Sequence, residues 1–173
     1  MLRYSNLKNY KYDLIWVKNN AGNFQLCKKQ FLKVHENISI FYKKQPTYNP
    51  QGLKKLEKPI VQSNKGKAGK LGHLGSEKKR SHYVQRYTNY PRSILYFDRP
   101  LKPLHPTQKP VALFEYLIKT YTNEGELVLD NCIGSGTTAI ACINTNRKYI
   151  GFELDKKYYE IANERIRKAI SER

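Results

Sequence analysis

Apolar and polar positions alternate with two different periods along this chain. Tyr12 to Lys18 (YDLIWVK) and Glu36 to Lys43 (ENISIFYK) are short runs rich in β-branched and aromatic residues, separated by the polar segment Asn19 to Val34, and they predict two strands. From Gln45 to about Pro103 the alternation gives way to Pro, Gly, Lys and Tyr. Gly66, Gly69, Gly72 and Gly75 recur there at every third position amid Lys65, Lys67 and Lys70, a spacing that favours no helix, so a mobile basic loop is expected. Order returns at Pro110, where Phe114, Leu117, Ile118 and Tyr121 sit at i, i+3, i+4 and i+7 behind a proline at the first helical position. Glu126 to Asp130 (ELVLD) and Lys148 to Glu153 (KYIGFE) predict buried strands, with a small-residue helix from about Thr137 to Asn144 between them. Asp155 is placed to cap a last helix, with Tyr159, Ala162, Ile166 and Ala169 on one face and Glu164 reaching Lys168 at i+4. Strand, turn, helix, strand, helix is a parallel, right-handed α/β unit.

With 39% hydrophobic and 12% aromatic residues among 173, the chain carries enough apolar surface for one core of ordinary size, which excludes a disordered tail. No stretch approaches the roughly 18 apolar residues of a membrane-spanning helix, and Met1 to Tyr12 is too polar for a signal peptide, so a cytoplasmic location is expected. Cys27, Cys132 and Cys142 are odd in number and lack Cys-x-x-Cys spacing, which indicates reduced thiols rather than a disulfide framework or a structural zinc site. His35, His73, His82 and His105 are scattered without metal-ligand spacing.

Charge is distributed unevenly. The net charge is +5 over residues 1–42, +13 over 43–109 and zero over 110–173, which together make the formal +18. An excess confined to the middle of a balanced body suggests one positive surface facing a polyanion, with nucleic acid the first candidate and a solvated basic loop the plain alternative. Tyr83, Tyr87, Tyr90 and Tyr96 alternate with Arg80, Arg86, Arg92 and Arg99, rings and cations suited to a phosphate backbone. No basic amphipathic helix points to a membrane surface.

The most specific local feature is Asp130-Asn-Cys-Ile-Gly134-Ser135-Gly136-Thr137-Thr138-Ala139, which follows one strand, opens a helix and has Glu153 at the end of the next strand. Glycines let the backbone pass close to a ligand, the helix start offers free N–H groups, and an acid about 20 residues on suits ribose hydroxyls, so a nucleoside site is indicated beside the alternative of tight packing. Gly134, Gly136 and Ala139 also satisfy the dinucleotide G-x-G-x-x-G/A pattern. Asp130 argues against a dinucleotide: a carboxylate there repels a pyrophosphate and attracts the ammonium of S-adenosylmethionine, whose carboxylate Thr137 and Thr138 are placed to meet. No G-x-x-x-x-G-K-[ST] sequence supports a P-loop.

His105-Pro-Thr-Gln-Lys-Pro110, the turn beginning at Asp130, and Ile150-Gly-Phe-Glu-Leu-Asp155 together resemble the DNA amino-methyltransferases that modify N6 of adenine or N4 of cytosine. The order resembles the permuted class, in which target recognition precedes the cofactor half. Leu14-Ile-Trp-Val-Lys18, His35-Glu-Asn-Ile-Ser-Ile-Phe-Tyr42 and Tyr90-Pro-Arg-Ser93 extend the match over nearly the whole chain. The resemblance implies an α/β, Rossmann-like methyltransferase sheet, incomplete in this chain, with a basic loop-rich insertion. Residues 1–44 would form a strand pair of the catalytic half, 45–104 the target-recognition region, and 105–173 the S-adenosylmethionine unit. It also implies that Thr107, Lys109 and Pro110 border the cofactor pocket, that Asp130, Gly134, Ser135, Gly136 and Thr137 hold the methionine end, and that Glu153 holds the ribose. Lys65, Lys67, Lys70, Lys78, Lys79, Arg80, Arg86 and Arg92 would meet double-stranded DNA.

One departure from the family pattern is equally informative. Members hold the flipped base with an Asp/Asn/Ser-Pro-Pro-aromatic tetrapeptide, and no Pro-Pro pair occurs in this sequence. The expectation is a downstream part that works with a separate upstream half supplying the missing strands. Two alternatives stand beside it: a subunit that binds cofactor and DNA without chemistry, and an RNA-directed protein. The implied reaction is direct attack of an exocyclic amine, adenine N6 favoured over cytosine N4, on the sulfonium methyl after base extrusion, with no metal and no covalent intermediate. Cys132 follows Asn131 rather than a proline, so it reads as a packing residue beside the pocket, and Trp16 reads as core.

Overall fold

The computed structural model describes residues 2–63 and 82–173, so the Gly66–Gly75 repeat and Lys65, Lys67, Lys70, Lys78, Lys79 and Arg80 lie outside the described residues. The chain divides into two units, one formed by Met1–Asn49 with Arg92–Arg173 and the other by Pro50–Pro91.

In the first unit a one-turn helix α1 (Leu2–Ser5) precedes the two expected strands, which form as β1 (Tyr10–Val17) and β2 (His35–Phe41), paired antiparallel from Tyr12 opposite Ile40 to Val17 opposite His35. A third strand, β5 (Ile94–Tyr96), lies parallel to β1 with Trp16 opposite Leu95, giving the order β2-β1-β5. Period-2 alternation directs Trp16, Leu14 and Ile38 to one face, where they pack with Leu95 and Leu113. Trp16 is 2% exposed, and its indole N–H donates to the Phe97 carbonyl at 2.7 Å, satisfying the ring's one polar atom.

Helix α2 (Val111–Tyr121) is two-faced, which its apolar stripe under-reads. Pro110 is its N-cap rather than its first turn. Leu113, outside the Phe114-Leu117-Ile118-Tyr121 stripe, is 2% exposed against Trp16 and Leu95. On the other side Ile118 packs with Ala141 and Cys142 of α3 (Thr137–Asn144), and Phe114 touches both clusters. The helix is thus a wedge between the three-stranded sheet and the last α/β unit. Tyr12 and Tyr121 share a hydroxyl hydrogen bond of 2.9 Å along the same seam.

The last unit comprises β6 (Leu127–Asp130), α3, β7 (Lys148–Gly151) and α4 (Lys156–Ser171), with β6 and β7 parallel and Leu129 opposite Ile150. Both strands were expected to be buried, and only one face is. Val128 and Tyr149 pack under α2 and α3, whereas Leu129 is 64% and Ile150 44% exposed on the opposite face, with Leu127 and Phe152 exposed as well. The described residues place helices on one side of this pair and nothing on the other. Asp155 caps α4 as expected, accepting from the backbone N–H groups of Lys157 and Tyr158. Two details differ. Tyr159 is exposed while Ala162 is buried, and Lys168 pairs with Glu172 at 3.7 Å, the i+4 acid on its C-terminal side, rather than with Glu164.

Within the second unit the expected loop contains a hairpin. Strands β3 (Lys54–Ser63) and β4 (His82–Thr88) pair antiparallel, with an irregularity between Lys55 and Ile60. That irregularity spans Pro59, whose missing N–H is tolerated where the ladder is already broken, and the Lys- and Glu-rich composition hides the alternation. The Asn89 side-chain amide closes the base of the hairpin on the Gly52 carbonyl at 2.6 Å. No helix among the described residues is long and apolar enough to cross a membrane.

Replacing Trp16 by Phe leaves the Phe97 carbonyl without its donor and shortens the ring that joins the strands to α2. Urea unfolding followed by far-ultraviolet circular dichroism should show a loss of about 1–3 kcal/mol, the cost of one buried unsatisfied polar group.

Candidate functional site

The glycine turn between β6 and α3 is shaped by two residues in the left-handed region, Gly134 at φ +53° and Gly136 at φ +83°. A Cβ on Gly136 would lie 3.1 Å from the Ala162 Cβ of α4, and one on Gly134 would face the His105 ring at 3.6 Å. Glycine is therefore required twice over at position 136, by dihedral and by approach. The Arg165 guanidinium of α4 donates to the Ser135 carbonyl and, at 3.2 Å, to its hydroxyl, fastening the turn from behind. Burial holds the Arg165 group below the usual arginine range.

Asp130 ends β6 at the mouth of this turn. One carboxylate oxygen accepts from the Cys132 N–H at 3.0 Å and the other from the Thr138 hydroxyl. The Thr138 hydroxyl is thus engaged by the carboxylate, while the residue still lines the space that the sequence reading placed it against. The Thr137 hydroxyl donates to the Lys109 carbonyl at 3.4 Å, linking the helix start to the His105–Pro110 loop. In that loop His105 Nδ1 accepts from the Thr107 N–H at 3.2 Å and hydrogen-bonds the Thr107 hydroxyl at 3.0 Å, so the ring proton sits on Nε2. The ring meets Tyr158 of α4 edge-on, 4.2 Å between centroids.

These elements enclose a cavity of about 190 Å³. Thr107, Lys109, Asp130, Gly134, Ser135 and Thr137 line it, all singled out in the sequence. Pro110 and Gly136 shape it as N-caps of α2 and α3. Glu153 is not among the lining residues: its carboxylate accepts from the Gly134 N–H at 2.9 Å and the Asp155 N–H at 3.0 Å, bracing the turn from the end of β7. His105, Gln108, Phe114, Cys132, Ile133 and Thr138 complete the wall, and only the family hexapeptide marked His105 and Gln108 in advance. Cys142 stays out of the cavity, its thiol pushed up to about 11 by burial, which suits packing and not nucleophilic chemistry.

The electrostatics turn on a residue the sequence did not flag. The Lys109 ammonium, the sole ammonium among the lining residues, lies 2.6 Å from one oxygen of Glu36 on β2, whose other oxygen is 3.2 Å from Lys18. Lys109 also sits over the Trp16 ring, 5.6 Å from its centroid. Glu36 is 73 residues from Lys109 in sequence, and no periodicity connects them. Burial raises the Glu36 carboxyl, but the hydrogen bonds and charges of Lys109 and Lys18 outweigh it and hold the group below its ordinary value. With Lys109 neutralised, Asp130 is the uncompensated charge facing the cavity. The donors and acceptors present fit an amino-acid ammonium and do not fit a pyrophosphate.

Of the residues assigned to DNA, Arg86 and Arg92 are exposed. On β4 the two-residue period places Tyr83 and Tyr87 on one face and Arg86 on the other. The hydroxyl of Tyr90 bonds that of Tyr83, which raises its pKa above the ordinary tyrosine value.

A family model described as DNA methylase matches residues 2–164. The DNA adenine methyltransferase YhdJ of Escherichia coli (strain K12) is 27% identical over 161 residues, covering 90% of this chain and 52% of YhdJ. The type II methyltransferase M.BglII of Bacillus subtilis is 30% identical over 153 residues, covering 86% of this chain and 40% of the relative. The type II methyltransferase M.HpaI of Haemophilus parainfluenzae is 48% identical over 73 residues, 42% of this chain and 23% of that enzyme. The chain thus spans from about a quarter to about half the length of these relatives. Among solved structures, an M1.HpyAVI–SAM complex superposes with a TM-score of 0.56 at 28% identity, covering 90% of this chain and 61% of the other. The cytosine-N4-specific PvuII DNA methyltransferase gives 0.64 at 16% identity, over 98% and 60%. These likenesses show the Rossmann-like fold of methyltransferases.

Because the folded Glu36 carboxyl lies below its unfolded value of 4.5, its contribution to stability is complete above that pH and lost as pH falls through the folded value. The urea midpoint of Glu36→Gln should fall below that of wild type by a constant margin well above pH 4.5, and the two should converge as pH falls below that value. A margin independent of pH would show that the carboxylate's charge does not stabilise the fold.

Proposed function

The chain belongs to the DNA methylase family, and we propose that it binds S-adenosylmethionine in the cavity between the His105–Pro110 loop and the glycine turn. In this reading it takes part in methylating an exocyclic amine of double-stranded DNA, adenine N6 before cytosine N4. The observation that carries the reading is a carboxylate at the mouth of a glycine-lined cavity whose lysine is neutralised from behind. When bound, the cofactor supplies an electrophilic methyl group on a sulfonium centre.

The chain's own residues bind and orient. Asp130, held by the Cys132 N–H and the Thr138 hydroxyl, accepts from the ammonium, each of its oxygens keeping a free lone pair. Gly134, Ser135, Gly136 and Thr137 offer backbone at close approach, with the start of α3 favouring a carboxylate. Thr107, Lys109 and Pro110 form the opposite rim. Glu153 keeps acceptor capacity for ribose hydroxyls beyond its two backbone bonds.

The arrangement proposed is that of the permuted class, with 1–44 as strand pair, 45–104 as the target-recognition region and 105–173 as the cofactor unit. In that region Arg86 and Arg92, with Lys65, Lys67, Lys70, Lys78, Lys79 and Arg80, contact the phosphates. The exposed Leu127, Leu129, Ile150 and Phe152 face is of the kind a further layer covers. We propose that a segment bearing the Pro-Pro-aromatic tetrapeptide packs there and brings the amine acceptors that this sequence does not carry.

Equilibrium dialysis with labelled S-adenosylmethionine should show saturable binding, at least about tenfold weaker in Asp130→Asn, as befits one charge-assisted hydrogen bond. Displacement by a nicotinamide dinucleotide at lower concentration than by unlabelled S-adenosylmethionine would sink the reading. Methyl incorporation into duplex DNA should rise on co-expression with a polypeptide carrying the tetrapeptide, and stay flat with one in which both prolines are replaced.

A further inference from the structure

A second cleft, of about 640 Å³, opens where β1 hands over to β2, apart from the cofactor cavity. We propose that it takes a backbone phosphodiester of the nucleic-acid strand, with Lys33 and His35 as the groups that touch it. The inference rests on the DNA substrate proposed above and adds to it a site outside the basic middle of the chain.

The cleft is built before any ligand arrives. Val17 stands opposite His35 in the β1–β2 register, and the connecting segment is tied back by Lys18 N–H to the Val34 carbonyl at 2.7 Å and Gly22 N–H to the Lys33 carbonyl at 3.2 Å. The Asn23 side chain accepts from the Lys33 N–H at 2.6 Å and donates to the Phe31 carbonyl at 3.2 Å, so both ends of its amide hold the wall in place. Preorganised walls spare a ligand the entropy of ordering them.

Its charge is unbalanced. Lys18, with a side chain only 7% exposed, and Lys33 face a single acid, Glu36, whose two oxygens are occupied by Lys18 at 3.2 Å and Lys109 at 2.6 Å. The carboxylate is shared between two ammonium groups and has no charge left for Lys33. Among the described residues the side chains of Lys33, His35 and Asn37 have no hydrogen-bond or ion-pair partner, and all three are exposed. An ammonium, an imidazole that always carries at least one N–H, and an amide thus converge as free donors on a cleft with positive surroundings, which is the chemistry of an oxyanion site.

The Glu36–Lys109 pair specifies which oxyanion. Lys109 lines the cofactor cavity while Glu36 lines this cleft, so one ion pair is the partition between the two. A phosphodiester seated on Lys33 and His35 is anchored across that partition from the methyl donor, where the strand carrying an extruded base must pass. The cleft is open enough for a continuous strand and is not an enclosed pocket for a small anion.

The test uses the full chain and a fluorescently labelled duplex, with anisotropy titrations across a salt series. Lys33→Ala should weaken binding several-fold, equally for two unrelated duplexes, and flatten the slope of log K against log salt by about 0.9, the loss of one phosphate contact. His35→Ala should weaken binding with little change of slope. Lys168→Ala, a like charge removed from α4, is the control, and both cleft variants should retain wild-type binding of S-adenosylmethionine. A Lys33→Ala slope equal to that of wild type or of the control overturns the cleft assignment while leaving the DNA reading intact. A wild-type chain that binds cofactor but no duplex overturns the DNA reading itself, and this site with it. If inorganic phosphate at constant ionic strength shifts the His35 ring resonances and duplex does not, the cleft serves a free anion and the proposal falls.

Discussion

The Glu36–Lys109 ion pair is the interaction on which the functional architecture depends. It joins strand β2 to the loop that precedes α2, with the Lys109 ammonium over Trp16, the most deeply set ring of the sheet core. Without Glu36 the cavity between the His105–Pro110 loop and the glycine turn would hold an ammonium and a carboxylate facing each other, with no net sign to favour one class of ligand. With Glu36 in place the positive charge is turned outward, and Asp130 sets the sign of the cavity. The same carboxylate leaves Lys33 uncompensated on its other side. One acid on a strand edge thereby gives two neighbouring cavities opposite characters, as charge pairing at short range in a partly desolvated setting allows.

Packing follows a similar economy. Helix α2 turns Leu113 toward the three-stranded sheet and Ile118 toward α3, and Phe114 belongs to both clusters. A single helix therefore fixes the position of the loop ahead of it, which carries Thr107 and Lys109, relative to the turn after β6, which carries Asp130 and Gly134. Arg147 reinforces this from just ahead of β7, donating to the Thr122 hydroxyl at 3.1 Å and carbonyl at 2.8 Å at the end of α2. The exposed leucines of β6 show where this economy stops: α2 and α3 cover one face of the parallel pair, and the other presents apolar side chains to solvent.

Turn geometry and helix packing are equally coupled. Gly136 has no room for a side chain against Ala162, Gly151 lies close under the Ile133 side chain, and Ser135 is gripped by Arg165, so α4 and β7 together constrain the path of the turn. Glu153, read from sequence as a ribose ligand, spends two of its hydrogen bonds on this same turn. A residue at that position serves first as a brace, and any ligand contact uses its remaining lone pairs.

Much of this was legible in the order of residues. The strands β1 and β2, helix α3 from Thr137 to Asn144, the Asp155 cap and the glycine turn are local patterns, set by alternation, side-chain size and backbone freedom within a few residues of each other. The hexapeptide at His105 and the turn at Asp130 carried the family because they are contiguous. Only the tertiary structure decided that Leu113 lies deeper than its stripe, that β6 and β7 are covered on one face, that a hairpin crosses the Lys-rich stretch around Pro59, and that Glu36 governs Lys109 from 73 residues away. The reason is physical: a side chain's period reports which way it points, whereas its burial and the sign of the charge beside it depend on elements brought near by packing, and no short window of sequence contains them.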